Sequence, residues 1–109
     1  MEVTDMANSI RVRHYTRVSS MRKIKDQLRI VARDQNKVFV EPASARKLSP
    51  ADARKRYGLK PGKGRAYVEF DVESVLLETK RNARHEIDEY FIVGNVDLAQ
   101  RNPQGFLNF

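Results

Sequence analysis

The chain has 109 residues, no cysteine and no tryptophan, and 21 Lys plus Arg against 14 Asp plus Glu, a formal net charge of +7. That length is one domain. The lack of cysteine excludes a disulfide framework and a cysteine-based zinc site, and no apolar run approaches the roughly 18 residues of a membrane span. No signal-peptide-like stretch follows the first residues, so export would rest on something outside this domain. Cation excess favours nucleic acid, an anionic cofactor or an acidic partner, although an ordinary solvated surface can carry it too.

Residues 1–8, MEVTDMAN, show no periodicity and read as a flexible lead-in to a domain over 9–109. Next, Ile10, Val12, His14 and Thr16 alternate with Arg11, Arg13, Tyr15 and Arg17. A period of two is a strand, and it places a histidine and a threonine on the apolar side. Ser19 or Ser20 can cap a helix to about Gln27, with Met21, Ile24 and Leu28 at helical spacing. LRIVA predicts a short strand, RDQN a turn, and KVFVEP at 37–42 a strand stopped by Pro42. SPADARKRYG carries a helix signature: Ser49 at the cap, Pro50 in the first position, Gly58 just past the end.

LKPGKG is a glycine-rich connection. In AYVEFDVESVLL, residues Ala66, Val68, Phe70 and Val72 share one face, while Tyr67, Glu69 and Asp71 share the other. TKRNARHE reads as a polar turn, EYFIVGNVDL as the last long strand, and Pro103 as the end of regular structure. Few helices, not regularly interleaved with strands, predict an α+β fold: a mixed, mainly antiparallel sheet with two short helices.

GLKPGKG is not a phosphate-binding P-loop. That motif needs four residues between its glycines, then Gly-Lys-Ser/Thr opening a helix, whereas GKG here leads into a strand. His85, in RNARHE, reads as a surface residue. His14 points inward, where a histidine is either a satisfied network group or a functional one. Glu86, Asp88 and Glu89 open the last strand. Such a cluster is ordinarily a solvated turn, but at a cleft edge a carboxylate can accept from a ribose hydroxyl or stabilise a developing cation.

Four segments in order, RHYT at 13–16, KVFVEPASARKLSP at 37–50, GKGRAYVEFDV at 62–72 and DEYFIVGNVDL at 88–98, resemble the ADP-ribosyltransferase fold. The resemblance is to the diphtheria-toxin-like branch, which includes the poly(ADP-ribose) polymerases. More narrowly, it is to the small His-Tyr-Asp class of polymorphic toxin domains. It implies a split β-sandwich around an NAD cleft and no metal.

It also implies roles for residues. His14 would hold the adenosine-side ribose, and Tyr15 (by its backbone) and Thr16 (by its hydroxyl) would clamp the nicotinamide amide. Tyr15 stands where the wider branch has glycine, though not the narrower class. Phe39 is the first ring expected to stack on nicotinamide, with Tyr57 as a second wall, and Tyr67 is the other candidate for the tyrosine of the class. Glu89 in DEYFIV fits the acid of the wider branch. Asp88 is its rival, because the narrower class has Asp; alternation lets only one face the cleft, and Glu89 is favoured. Arg11, Arg13 and Arg17 would either meet the pyrophosphate or, more ordinarily, form a solvated face.

The implied function is an NAD-dependent mono-ADP-ribosyltransferase toxin, delivered or secreted to act in the target-cell cytoplasm on RNA or protein. It would be silenced by an acidic immunity protein and would involve no membrane. The main rival is a metal-independent ribonuclease toxin, which +7 also suits. A non-enzymatic nucleic-acid-binding module fits less well, since the polar face of AYVEFDV is acidic. The arginine-specific transferase branch fits poorly too, since Arg11, Ser19-Ser20 and the Glu86/Asp88 pair are poor matches for its motifs.

Overall fold

The computed structural model describes residues 8–33, 35–83 and 87–108. The expected lead-in, apart from Asn8, lies outside the described residues, as do His85 and Glu86. Eight strands and two α-helices follow in the order β1 (Ser9–Thr16), α1 (Val18–Gln27), β2 (Arg29–Ile30), β3 (Lys37–Pro42), α2 (Pro50–Tyr57), β4 (Ala66–Glu73), β5 (Glu78–Asn82), β6 (Ile87–Val93), β7 (Val96–Asp97) and β8 (Gln104–Leu107). Six strands form one sheet in the order β5-β6-β3-β1-β4-β8, and β2 pairs with β7 separately. Every ladder among the described residues is antiparallel. This is the α+β architecture the sequence predicts.

The alternating apolar residues build the core. Val12 of β1, Val38 and Val40 of β3, Val68, Phe70 and Val72 of β4 and Ile92 of β6 form one buried cluster with Ile24 of α1 and Leu98. Because successive strand residues point to opposite faces, the residues between them form a second face. That face is largely polar, yet its centre is closed to solvent. Arg13, Tyr15 and Glu41 on it are all buried.

Several local expectations are corrected. Arg17, not Ser19 or Ser20, stands at the N-cap of α1, and its side chain makes no cap bond; both serines lie inside the first turn. Leu28 adopts a left-handed C-cap conformation and is exposed. Residues 79–82 of the expected polar turn form, with Glu78, edge strand β5. The last long strand is two, interrupted at Gly94, whose φ is +84°. Beyond Pro103 the chain forms β8, which pairs with β4. Ser49 and Gly58 cap α2 as expected: Ser49 accepts from the backbone N–H of Asp52, and Gly58 takes φ 63°.

Candidate functional site

β1 pairs with β4 along its whole length, from Ser9↔Glu73 to Thr16↔Ala66. Its pairing with β3 covers only Val12↔Pro42 and Arg13↔Glu41. Proline has no N–H to continue a ladder, and Ala43 donates instead to the Arg11 carbonyl. At the other end of β1 the two strands part. One side chain spans the opening: His14 Nδ1 lies 2.8 Å from the Phe39 carbonyl oxygen.

A cavity of about 250 Å³ occupies this split. His14, Thr16, Phe39 and Tyr57 line it, with α1 and the β2 segment on the far side. Lys23, Arg29, Arg33, Lys37 and Lys63 line it as well, and among the described residues no carboxylate does. None of these five cations is ion-paired among the described residues. The split is therefore a site of uncompensated positive potential, suited to an anion. Lys63 comes from the GKG turn, which places a lysine at the cleft without being a P-loop.

A carbonyl only accepts, so His14 Nδ1 carries the hydrogen in this bond. Burial lowers the pKa of His14. The bond to Phe39 opposes the shift, and the charge on Lys63 adds to it. The ring is thus neutral at physiological pH, leaving Nε2 as an acceptor for a donor in the cleft.

Behind the split lies a polar knot that the sequence did not announce. Glu41 Oε2 accepts from Arg13 Nη1 at 2.6 Å and from the Tyr15 hydroxyl at 2.8 Å, and Glu41 Oε1 accepts from the Tyr57 hydroxyl at 2.8 Å. Arg13 also donates to Glu69 at 3.2 Å and to the carbonyls of Ala43 and Ala45. The solvated face expected for Arg13 is overturned: it is 5% exposed and bound to two carboxylates. The sequence alone gave no signal of this: Glu41 and Glu69 lie on β3 and β4, and only the strand pairing brings them to Arg13.

The structure brings His14, Tyr15, Thr16, Phe39 and Tyr57 together at the cleft. The Tyr15 hydroxyl is turned away into the knot. Tyr67 lies outside the lining; its ring stacks on Phe106 at 5.0 Å and meets Tyr15 edge-on at 6.0 Å. Glu89 is on β6, also outside the lining, and accepts from Asn82 Nδ2 at 3.1 Å. By alternation it shares a face with Phe91, whose ring is 6.1 Å from that of Phe39. Asp88 points to the other face and is exposed, at 3.4 Å from Arg81.

The family model of the HYD1 signature containing ADP-ribosyltransferase matches residues 12–102. The chain belongs to this ADP-ribosyltransferase toxin family. As an ADP-ribosyltransferase toxin domain it is a transferase, and its family implies NAD as the source of ADP-ribose and a macromolecule as target. The matched span takes in the cleft, the knot and Glu89. No significant match was found among curated proteins or solved structures. Among the described residues, no helix of this transferase is long and apolar enough to cross a membrane.

Proposed function

We propose that the domain is an NAD-dependent mono-ADP-ribosyltransferase, a glycosyltransferase that moves ADP-ribose to RNA or protein and releases nicotinamide. The observation that carries this reading is the split between β1 and β3, lined by a neutral histidine, a threonine and two aromatic rings, and rimmed by cations with no carboxylate among the described residues. Each feature suits one part of the dinucleotide. His14 Nε2 accepts from a ribose hydroxyl, and Tyr15 (through its backbone) and Thr16 hold the nicotinamide amide. Phe39 and Tyr57 wall the nicotinamide ring, with Tyr67 kept as an outlying ring, and the cations face the pyrophosphate. The cavity is smaller than the roughly 300–1,000 Å³ of typical ligand sites, so it encloses part of NAD and leaves the rest on the rim. Glu89 acts as the acid that stabilises positive charge on the ribose as nicotinamide leaves, and Asp88, on the far face of β6, does not.

The alternative is a metal-independent ribonuclease toxin; the family match over residues 12–102 favours the transferase. The biological setting is a polymorphic toxin delivered into the cytoplasm of a competing bacterium, with an acidic immunity protein covering the basic rim in the producing cell. Incubating the domain with labelled NAD and a cell lysate tests the reading. Label should enter the protein or RNA fraction as nicotinamide is released. A folded sample that neither transfers label nor consumes NAD overturns it.

A further inference from the structure

We infer that Glu41 is a positioning residue for the transfer reaction, holding Tyr57 as the wall of the cleft; this rests on the proposed NAD function. The argument begins with helix α2. Its only buried residue is Ala53, and its last turn carries Arg54, Lys55 and Arg56, all exposed. A helix that buries so little apolar surface is weakly oriented by packing. Tyr57, its last residue, nevertheless lines the cleft. The bond from its hydroxyl to Glu41 Oε1, at 2.8 Å, fixes where the ring stands.

The other oxygen of Glu41 reaches the opposite end of the same segment. Oε2 takes the Tyr15 hydroxyl, and that hydroxyl oxygen accepts from the backbone N–H of Leu48 at 2.8 Å. Leu48 directly precedes the Ser49 cap. Arg13, paired with the same oxygen, holds the Ala43 and Ala45 carbonyls. One carboxylate thus ties the start and the finish of the connection between β3 and the glycine turn to the point where β1 and β3 part. Both phenols stay protonated, and so donate: burial and the carboxylate push Tyr15 up to about 12 and raise Tyr57 as well.

Burying a carboxylate at 6% exposure carries a desolvation cost that the ion pair alone need not offset, and apolar residues could fill such a site with equal stability. What they could not do is aim two hydroxyls and a helix at fixed points. The charge is therefore placed for geometry, and its consequence is read at the cleft.

Tyr57→Phe keeps the ring and removes only the tether. KM for NAD should rise about tenfold with kcat changed much less, the pattern of lost substrate binding. Glu41→Gln should give a similar rise, and in the double variant the two effects should not add. Tyr15→Phe, which frees Leu48 but leaves Tyr57 tethered, should raise KM less. Should Glu41→Gln fail to fold, Tyr57→Phe decides alone. If wild type turns over NAD and Tyr57→Phe keeps its KM, even with a lower melting temperature, Glu41 is only a staple and the inference is overturned while the function stands. If wild type turns over no NAD, both fall.

Discussion

At its middle, at Val12 and Arg13, β1 is paired on both sides, and the arginines on either side of Val12 are matched. Arg11 meets Asp71 at 3.1 Å, and Arg13 meets Glu41 and Glu69 at 2.6 and 3.2 Å. From His14 onward the same strand is paired with β4 alone, and among the described residues the cations across the opening are in no ion pair. The difference shows how a net charge of +7 becomes a site. Acids on β3 and β4 neutralise Arg11 and Arg13, whereas five of the remaining cations line the split without an ion pair among the described residues. Composition gave the size of that excess but not its place.

The comparison is broken most severely at Arg13. Arg13→Leu leaves Glu41 buried without its cation, and removing one partner of a buried pair costs about 3–5 kcal/mol. Urea unfolding should show that loss as a lower midpoint, whereas Arg81→Ala, from a pair more than half exposed on both sides, should shift it by at most about 1 kcal/mol. Equal shifts would mean that the matched stretch is not the structural one.

Next in size is the acid. Glu89→Gln keeps an oxygen to accept from Asn82, so folding should persist while turnover of NAD falls about a hundredfold to a thousandfold, as expected for loss of a charge that stabilises the transition state. Asp88→Asn should be mild. The reverse pattern would move the acid to Asp88 and leave the cleft as it is.

His14 sharpens the comparison through pH. Its pKa is lowered in the folded protein, so the neutral ring is favoured above the ordinary imidazole value and protonation at lower pH removes the Nε2 acceptor. KM for NAD should be flat at alkaline and neutral pH and on down past the ordinary imidazole value of about 6.5, and rise only as pH falls through the lowered pKa. His14→Ala should raise KM by about tenfold and abolish that limb. The smallest effect belongs to the rim. Lys23→Glu combined with Arg33→Glu should raise KM a few-fold, and the change should shrink as salt screens exposed charge.

The period-two pattern in IRVRHYT and AYVEFDV made β1 and β4 legible, because one face of each packs into a core. Ser49, Pro50 and Gly58 marked α2, because capping chemistry is local. Residues 78–82 escaped because an edge strand exposed on both faces carries no apolar alternation. β8 escaped because its pairing with β4 is decided far away in the chain. Of the residues that the family resemblance singled out, His14, Thr16, Phe39 and Tyr57 line the cleft. The part played by Glu41 was not legible, since KVFVEP shows only an acid before a proline. Its meaning comes from Arg13, Tyr15 and Tyr57, which only the tertiary fold brings to it.

The strand order has a consequence for the timing of assembly. Every described residue lining the cleft lies between Arg13 and Lys63, yet the strands that flank and hold β1 and β3, namely β4 and β6, come afterwards. The first part of the chain supplies the walls and the second the frame. β1 finds its full-length neighbour only after some fifty residues have intervened, as in Tyr15↔Tyr67, and such long-range pairings fold slowly because closing the loops costs entropy before contacts return it. A nascent chain that has reached the glycine turn therefore holds the described lining residues but neither the frame nor Glu89, and refolding should restore NAD turnover in step with β-sheet signal rather than ahead of it.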